Sequence, residues 1–130
     1  MPLLPRNLRP SIWRGGMNIK RGSIYVAALD PVIGKEISKT RPVVIVSNDI
    51  NNRYSGTVTI IPITSKNLQK IYPFEVLLAK GSGNLSKNSK IKSNQIRTLD
   101  KTRIVKFIGA LDKKIMEQID TSIKIHLALP

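Results

Sequence analysis

The chain has 130 residues, no cysteine and a formal charge of +14, from 22 lysines and arginines against 8 acidic residues. That length suits one domain with a modest core, and a content of 41% hydrophobic but only 5% aromatic residues makes that core aliphatic. Disulfides, a thiol nucleophile and thiolate metal ligation are excluded, a reducing cytoplasm is the expected compartment, the charge calls for a polyanionic partner, and no apolar run approaches the roughly 20 residues of a membrane span.

Residues 1–16 hold three prolines, three arginines, two glycines and no acidic residue. They read as a basic arm, disordered or loosely docked, and either foreign to the domain or laid on RNA. Met17 opens the domain proper, taken as 17–130. Ser23–Leu29 alternates and is rich in Ile, Tyr and Val, which predicts a strand. Asp30-Pro31-Val32-Ile33-Gly34 is a turn opening a long polar loop to Thr40. Arg41–Ser47 is a second strand, with Pro42 tolerated near its start. Asn48–Gly56 predicts a short helical turn, and Thr57–Ile63 a third strand. Pro62 places that third strand at an edge or a bulge.

A second long loop spans Thr64–Pro73. Phe74–Leu78 is a fourth strand, Lys80–Lys87 a Gly/Ser/Asn/Lys loop, and Ser89–Lys92 a short strand. Thr98–Thr102 reads as a turn and Arg103–Ala110 as the last strand. The period then changes. Asp112 is an N-cap, and Ile115, Met116, Ile119, Ile123 and Leu127 form the stripe of an amphipathic helix. Many short strands followed by one helix predict a mainly β, α+β domain: a small, strongly curved antiparallel barrel with a C-terminal helix on it.

Most catalytic chemistries lack their residues here. His126 is the only histidine, and the eight carboxylates are scattered, so a zinc site has no ligand set. One histidine also excludes a two-histidine ribonuclease mechanism within one chain. There is no Gly-x-Ser-x-Gly elbow. Gly81-Ser82-Gly83-Asn84 precedes no predicted helix and reads as a loop, not a phosphate cradle. What remains is Arg41 and Thr64, each at a strand end beside a basic loop: Lys35 and Lys39 precede Arg41, and Lys66 and Lys70 follow Thr64. RNA strand transfer needs the substrate's own 2′-hydroxyl, charge stabilisation at phosphorus, and proton transfers. A guanidinium offers permanently charged, fork-shaped donors, and a threonine hydroxyl can donate to a phosphate oxygen.

An ordered set of motifs is similar to the MazF/PemK toxins, ribosome-independent endoribonucleases of type II toxin–antitoxin systems. The set runs Lys20-Arg21-Gly22-Ser23-Ile24-Tyr25, Leu29-Asp30-Pro31 with Gly34-x-Glu36, and Arg41-Pro42-Val43-Val44-Ile45-Val46-Ser47-Asn48-Asp49. Pro62-Ile63-Thr64-Ser65, Tyr72-Pro73-Phe74-Glu75-Val76 and Gln95-Ile96-Arg97-Thr98-Leu99-Asp100 follow. The resemblance covers about residues 19–129. It implies an SH3-like barrel, a homodimer, an acidic antitoxin in the dimer groove, and cleavage of single-stranded RNA to 2′,3′-cyclic phosphate and 5′-hydroxyl ends with no metal and no cofactor. The family's catalytic arginine, threonine and loop glutamate fall on Arg41, Thr64 and Glu36. Asn48, Ser89 and Gln95 match positions that touch RNA in relatives, and Lys35, Lys39, Ser65 and Lys66 lie on the basic loops expected to hold it. Tyr25 or Tyr54 is expected to stack an unpaired base. Ser23 and Lys39-Thr40 depart from the family pattern and are expected to alter base preference or loop dynamics. Two other functions stay open: a non-catalytic topoisomerase poison of the same fold, and an RNA-binding module.

Overall fold

The structure is a computed structural model that describes residues 18–130; the expectations for the 1–16 arm lie outside it. Its organising strand is β3, Thr57–Thr64, which pairs with three others. The full set is β1 Ser23–Ala28, β2 Thr40–Ile45, helix α1 Asp49–Tyr54, β3, β4 Glu75–Leu78, β5 Ser89–Lys92, β6 Arg97–Asp100, β7 Ile104–Ala110 and helix α2 Lys113–Leu127. All pairings are antiparallel. The strands run β4-β5-β3-β2-β1-β7, with β6 also on β3. This is the expected SH3-like barrel with a C-terminal helix.

The apolar runs in β2 and β3 are nearly continuous because the sheet is covered on both faces. Ile24, Val44, Ile61, Ile63 and Ile91 point to one core, which Met116 and Ile119 of α2 close. Tyr25, Val43, Ile45, Val58, Ile60 and Leu99 point to a second core on the opposite face.

Pro62 does not mark an edge. Thr59 faces β2, since its carbonyl accepts from the Val46 amide (2.9 Å) and its amide donates to Ser47 Oγ (3.0 Å). Side-to-side alternation then turns the Pro62 nitrogen to the other neighbour. There β3 changes partner, from β6 over Thr57–Ile60 to β5 at Ile63–Thr64. The absent N–H falls in the gap between two ladders, so a central strand tolerates the proline.

The expected turn at 98–102 is also replaced, by β6 and a following 3-10 turn at Lys101–Arg103. Of the β6 residues only Leu99 is buried, and its partner Val58 supplies the apolar contact that local sequence lacks.

At α2, Asp112 caps as expected, accepting from the Ile115 amide at 2.8 Å. The buried stripe ends a turn early: Leu127 is exposed, whereas Ser122 is buried and bonded to Ser93 Oγ at 2.6 Å. The glycine-rich loop is a packing device. Gly83 and Gly109 meet so closely that a Cβ on Gly109 would collide with the Gly83 carbonyl.

Candidate active site

β2 and β3 bring the two candidate groups together by register. Val43 pairs with Pro62; carrying that antiparallel pairing outward along both strands sets Arg41 across from Thr64. Both line one groove of about 300 Å³, together with Pro42, Ile63, Ser65, Lys66, Leu85, Ser86, Lys87 and Ser89. The Arg41 guanidinium is tethered through Nε to the Ser38 carbonyl at 2.7 Å. Its two terminal nitrogens make no bond to the described residues and stay available as a fork. Thr64 Oγ1 accepts from the Lys66 amide at 3.2 Å. A hydroxyl that accepts in this way still holds its own proton to donate. Three lysine or arginine charges, from Arg41, Lys66 and Lys87, therefore face one depression beside an unspent hydroxyl.

Other predicted residues take different places. Glu36 is exposed and outside the groove lining; its Oε1 accepts from the Ile33 amide at 3.0 Å, closing its own loop. Gln95 Oε1 accepts from the Ile37 amide at 3.3 Å, so it anchors the 31–40 segment and has its NH₂ donors left for a ligand. Asn48 is exposed but caps α1, accepting from the Asn51 amide at 2.8 Å. Lys35 and Lys39 are exposed on the loop, and the Lys39 amide donates to Asp30 Oδ1 at 3.1 Å. Ser65 and Lys66 are exposed in the groove, and Ser89 lines it while its hydroxyl donates to the Lys87 carbonyl at 2.9 Å.

The stacking role for Tyr25 or Tyr54 is not supported. Each residue is 8% exposed. Tyr25 packs edge-on against Phe107, centroids 5.5 Å apart, and burial raises its phenol pKa. A tyrosine in a strand covered on both faces has no open ring face, and alternation alone could not reveal that second cover. Exposed aromatics include Phe107 and Tyr72; Tyr72 stacks on half-buried Phe74 at 5.4 Å, with Lys70 Nζ over the Tyr72 ring at 4.9 Å.

Two framework features escaped the sequence reading. Arg97 and Arg103 donate to the carbonyls of Leu29 and of Ala28 and Asp30, pinning the start of the 31–40 loop. Lys90 and Glu75 form an ion pair at 3.2 Å with both side chains nearly inaccessible. Among the described residues no three His, Cys, Asp or Glu side chains are grouped to hold a metal ion, and no helix is long and apolar enough to cross a membrane.

A seven-stranded antiparallel barrel thus carries an arginine and a threonine on one basic groove. The chain belongs to the PemK-like, MazF-like toxin family of type II toxin–antitoxin systems, which it matches over residues 20–127. It is 37% identical over 116 residues to endoribonuclease MazF9 of Mycobacterium tuberculosis, covering 85% of this chain and 98% of that protein. To endoribonuclease EndoA of Bacillus subtilis it is 38% identical over 113 residues, covering 87% and 97%. The fold is similar to crystalline MazF from Deinococcus radiodurans, with TM-score 0.76, 22% identity, and 87% and 99% of the two chains covered. It is also similar to a mycobacterial endoribonuclease solved in complex with its cognate antitoxin, with TM-score 0.72, 23% identity, and 86% and 97% covered.

Proposed function

We propose that this toxin is an endoribonuclease that cleaves single-stranded RNA at the Arg41–Thr64 groove. The carrying observation is that Arg41 and Thr64 share that groove with their terminal donors unspent. In the proposed step the substrate's 2′-hydroxyl oxygen bonds to the adjacent phosphorus and the bond to the 5′-oxygen breaks. The ends are a 2′,3′-cyclic phosphate and a 5′-hydroxyl. The Arg41 fork holds the non-bridging oxygens as charge builds on them, and the Thr64 hydroxyl donates a hydrogen bond to the same phosphorane, keeping its proton. An arginine is a poor base, because its pKa is too high to lose a proton readily. The described groove lining contains no carboxylate, so the 2′-hydroxyl proton passes to solvent, and Glu36 acts on the loop it closes. The leaving 5′-oxygen takes up a proton as it departs.

The net charge of +14 suits both an RNA strand and an acidic antitoxin, with association that weakens as salt rises. A homodimer working in the cytoplasm completes the reading; exposed Val105 and Phe107 on β7 are apolar surface that a second protein surface can cover. The test is the purified chain on a long mixed-sequence RNA in EDTA, with cut sites mapped and 5′ ends labelled by a kinase without prior phosphatase treatment. Discrete cuts with 5′-hydroxyl ends are expected. Salt-sensitive RNA binding with no new ends would leave an RNA-binding module, and no RNA affinity would leave a protein-directed poison.

A further inference from the structure

Thr64 and Lys90 are register partners on β3 and β5, so their side chains share one face of the sheet. The neighbouring pair, Ile63 with Ile91, points the other way into the core. Yet Lys90 is only 3% exposed. Its cover is the segment joining β3 to β4. An ammonium has three N–H donors, and Lys90 commits two bonds to that segment, to the Asn67 carbonyl at 2.8 Å and the Lys70 carbonyl at 3.1 Å, and a third to Glu75 Oε1 at the start of β4 at 3.2 Å. The same Glu75 oxygen accepts from the Tyr72 amide at 2.9 Å. Carbonyls and a carboxylate thus form a cage, and the chain's own lysine fills it. Desolvating such a pair is expensive, and removing one member strands the other. None of the chemistry proposed for the groove uses either group.

We propose that Lys90 is a positioning residue for RNA: by filling this cage it holds the 65–74 segment so that Ser65 and Lys66 stay in the groove beside Thr64. The proposal rests on the endoribonuclease reading, and it concerns how substrate is held. The segment lends Ser65 and Lys66 to the Arg41–Thr64 groove, and Asn67 and Lys70 to a second depression of about 370 Å³ whose walls also include Glu75 and Lys90. Lys90 therefore braces a stretch of chain that lines both. With the ammonium gone, the segment samples conformations that do not bind, and apparent affinity falls by the fraction that remains competent. Arg41 and the Thr64 backbone are held by β2 and β3, so chemistry on bound RNA continues.

The experiment uses the full chain and an oligonucleotide containing one mapped cut site. For Lys90→Met, if the segment is competent about a tenth of the time, KM rises about tenfold while kcat stays within about threefold. Tryptic cleavage after Lys66 and Lys70 accelerates. Lys90→Ala shows the same rise in KM, and added propylammonium lowers it, whereas tetramethylammonium, which has no N–H donor, does not. Because Lys90→Met leaves the Glu75 carboxylate stranded, the double variant Lys90→Met/Glu75→Gln, which carries no unpaired buried charge, is measured beside it. A folded double variant with wild-type KM and wild-type tryptic rates overturns the proposal, as does a loss confined to kcat. If the wild-type chain binds this RNA without cutting it, the enzymatic reading fails. Lys90 is then judged on RNA affinity, tryptic rates and propylammonium rescue of affinity.

Discussion

Thr64→Val removes one hydroxyl and keeps the side-chain shape. In the free protein that oxygen only accepts from the Lys66 amide at 3.2 Å, in an exposed setting. Water can replace it, so stability should fall by no more than about 1 kcal/mol. In the transition state the loss is larger. Removing one preorganised donor to a developing oxyanion lowers kcat by about 10²–10³, equivalent to roughly 2.7–4 kcal/mol. Thr64→Ser, which restores the donor without the methyl, should recover most of the rate. The assay is single-turnover cleavage of a labelled oligonucleotide with enzyme in excess, alongside urea denaturation of each variant. A folded Thr64→Val protein that cuts at the wild-type rate refutes the role given to this hydroxyl. So would equal losses in the Ser and Val variants, which would point to packing instead.

Arg41→Lys keeps the charge but loses the planar fork and its Nε tether to Ser38; cleavage should fall about 10²-fold or more, with RNA affinity in filter binding little changed. Gly109→Ala pushes a Cβ into the Gly83 carbonyl, where backbone meets backbone. It should destabilise by about 3 kcal/mol, the upper end of overpacking, read as a lower urea midpoint. The Thr102 hydroxyl and amide, both bonded to Asp100, hold its carboxyl below the usual range. A depressed folded pKa stabilises above the unfolded value and loses that contribution as pH falls through the folded one. Asp100→Asn should therefore flatten the acid limb of the stability curve below about pH 4, with melting temperature against pH as the readout.

Strands β1, β2, β3 and β5 were legible because their apolar residues fill cores that any packing of this chain must fill. β6 was not, because Arg97, Thr98 and Asp100 are polar and its pairing with β3 is a tertiary fact. Pro62 misled for a related reason: the proline rule assumes a strand with one neighbour per side, and β3 changes neighbours beside that residue. At the site, Arg41 and Thr64 could be singled out by type and by family resemblance, but their meeting depends on β2–β3 register. The Lys90–Glu75 pair left no local trace. Ser89-Lys90-Ile91-Lys92 reads as an alternating strand with lysines outward, and only the 65–74 segment folding over that face turns one of them into a buried charge. Tyr25 is the converse case, an aromatic taken for a surface platform that a second core encloses.

The way β3 divides its pairing has a consequence for how the toxin can be disarmed. Arg41 belongs to β2, which is bound on both sides by β1 and β3. Thr64 is the last residue of β3, and its ladder partner on the far side is β5, in the peripheral β4–β5 ribbon. Short peripheral ladders open at lower free energy than central ones. Peeling that ribbon away would strip Ser86, Lys87 and Ser89 from the groove wall while Arg41 and Thr64 stayed on the paired central strands. A ligand that grips β5 need not enter the groove to silence it.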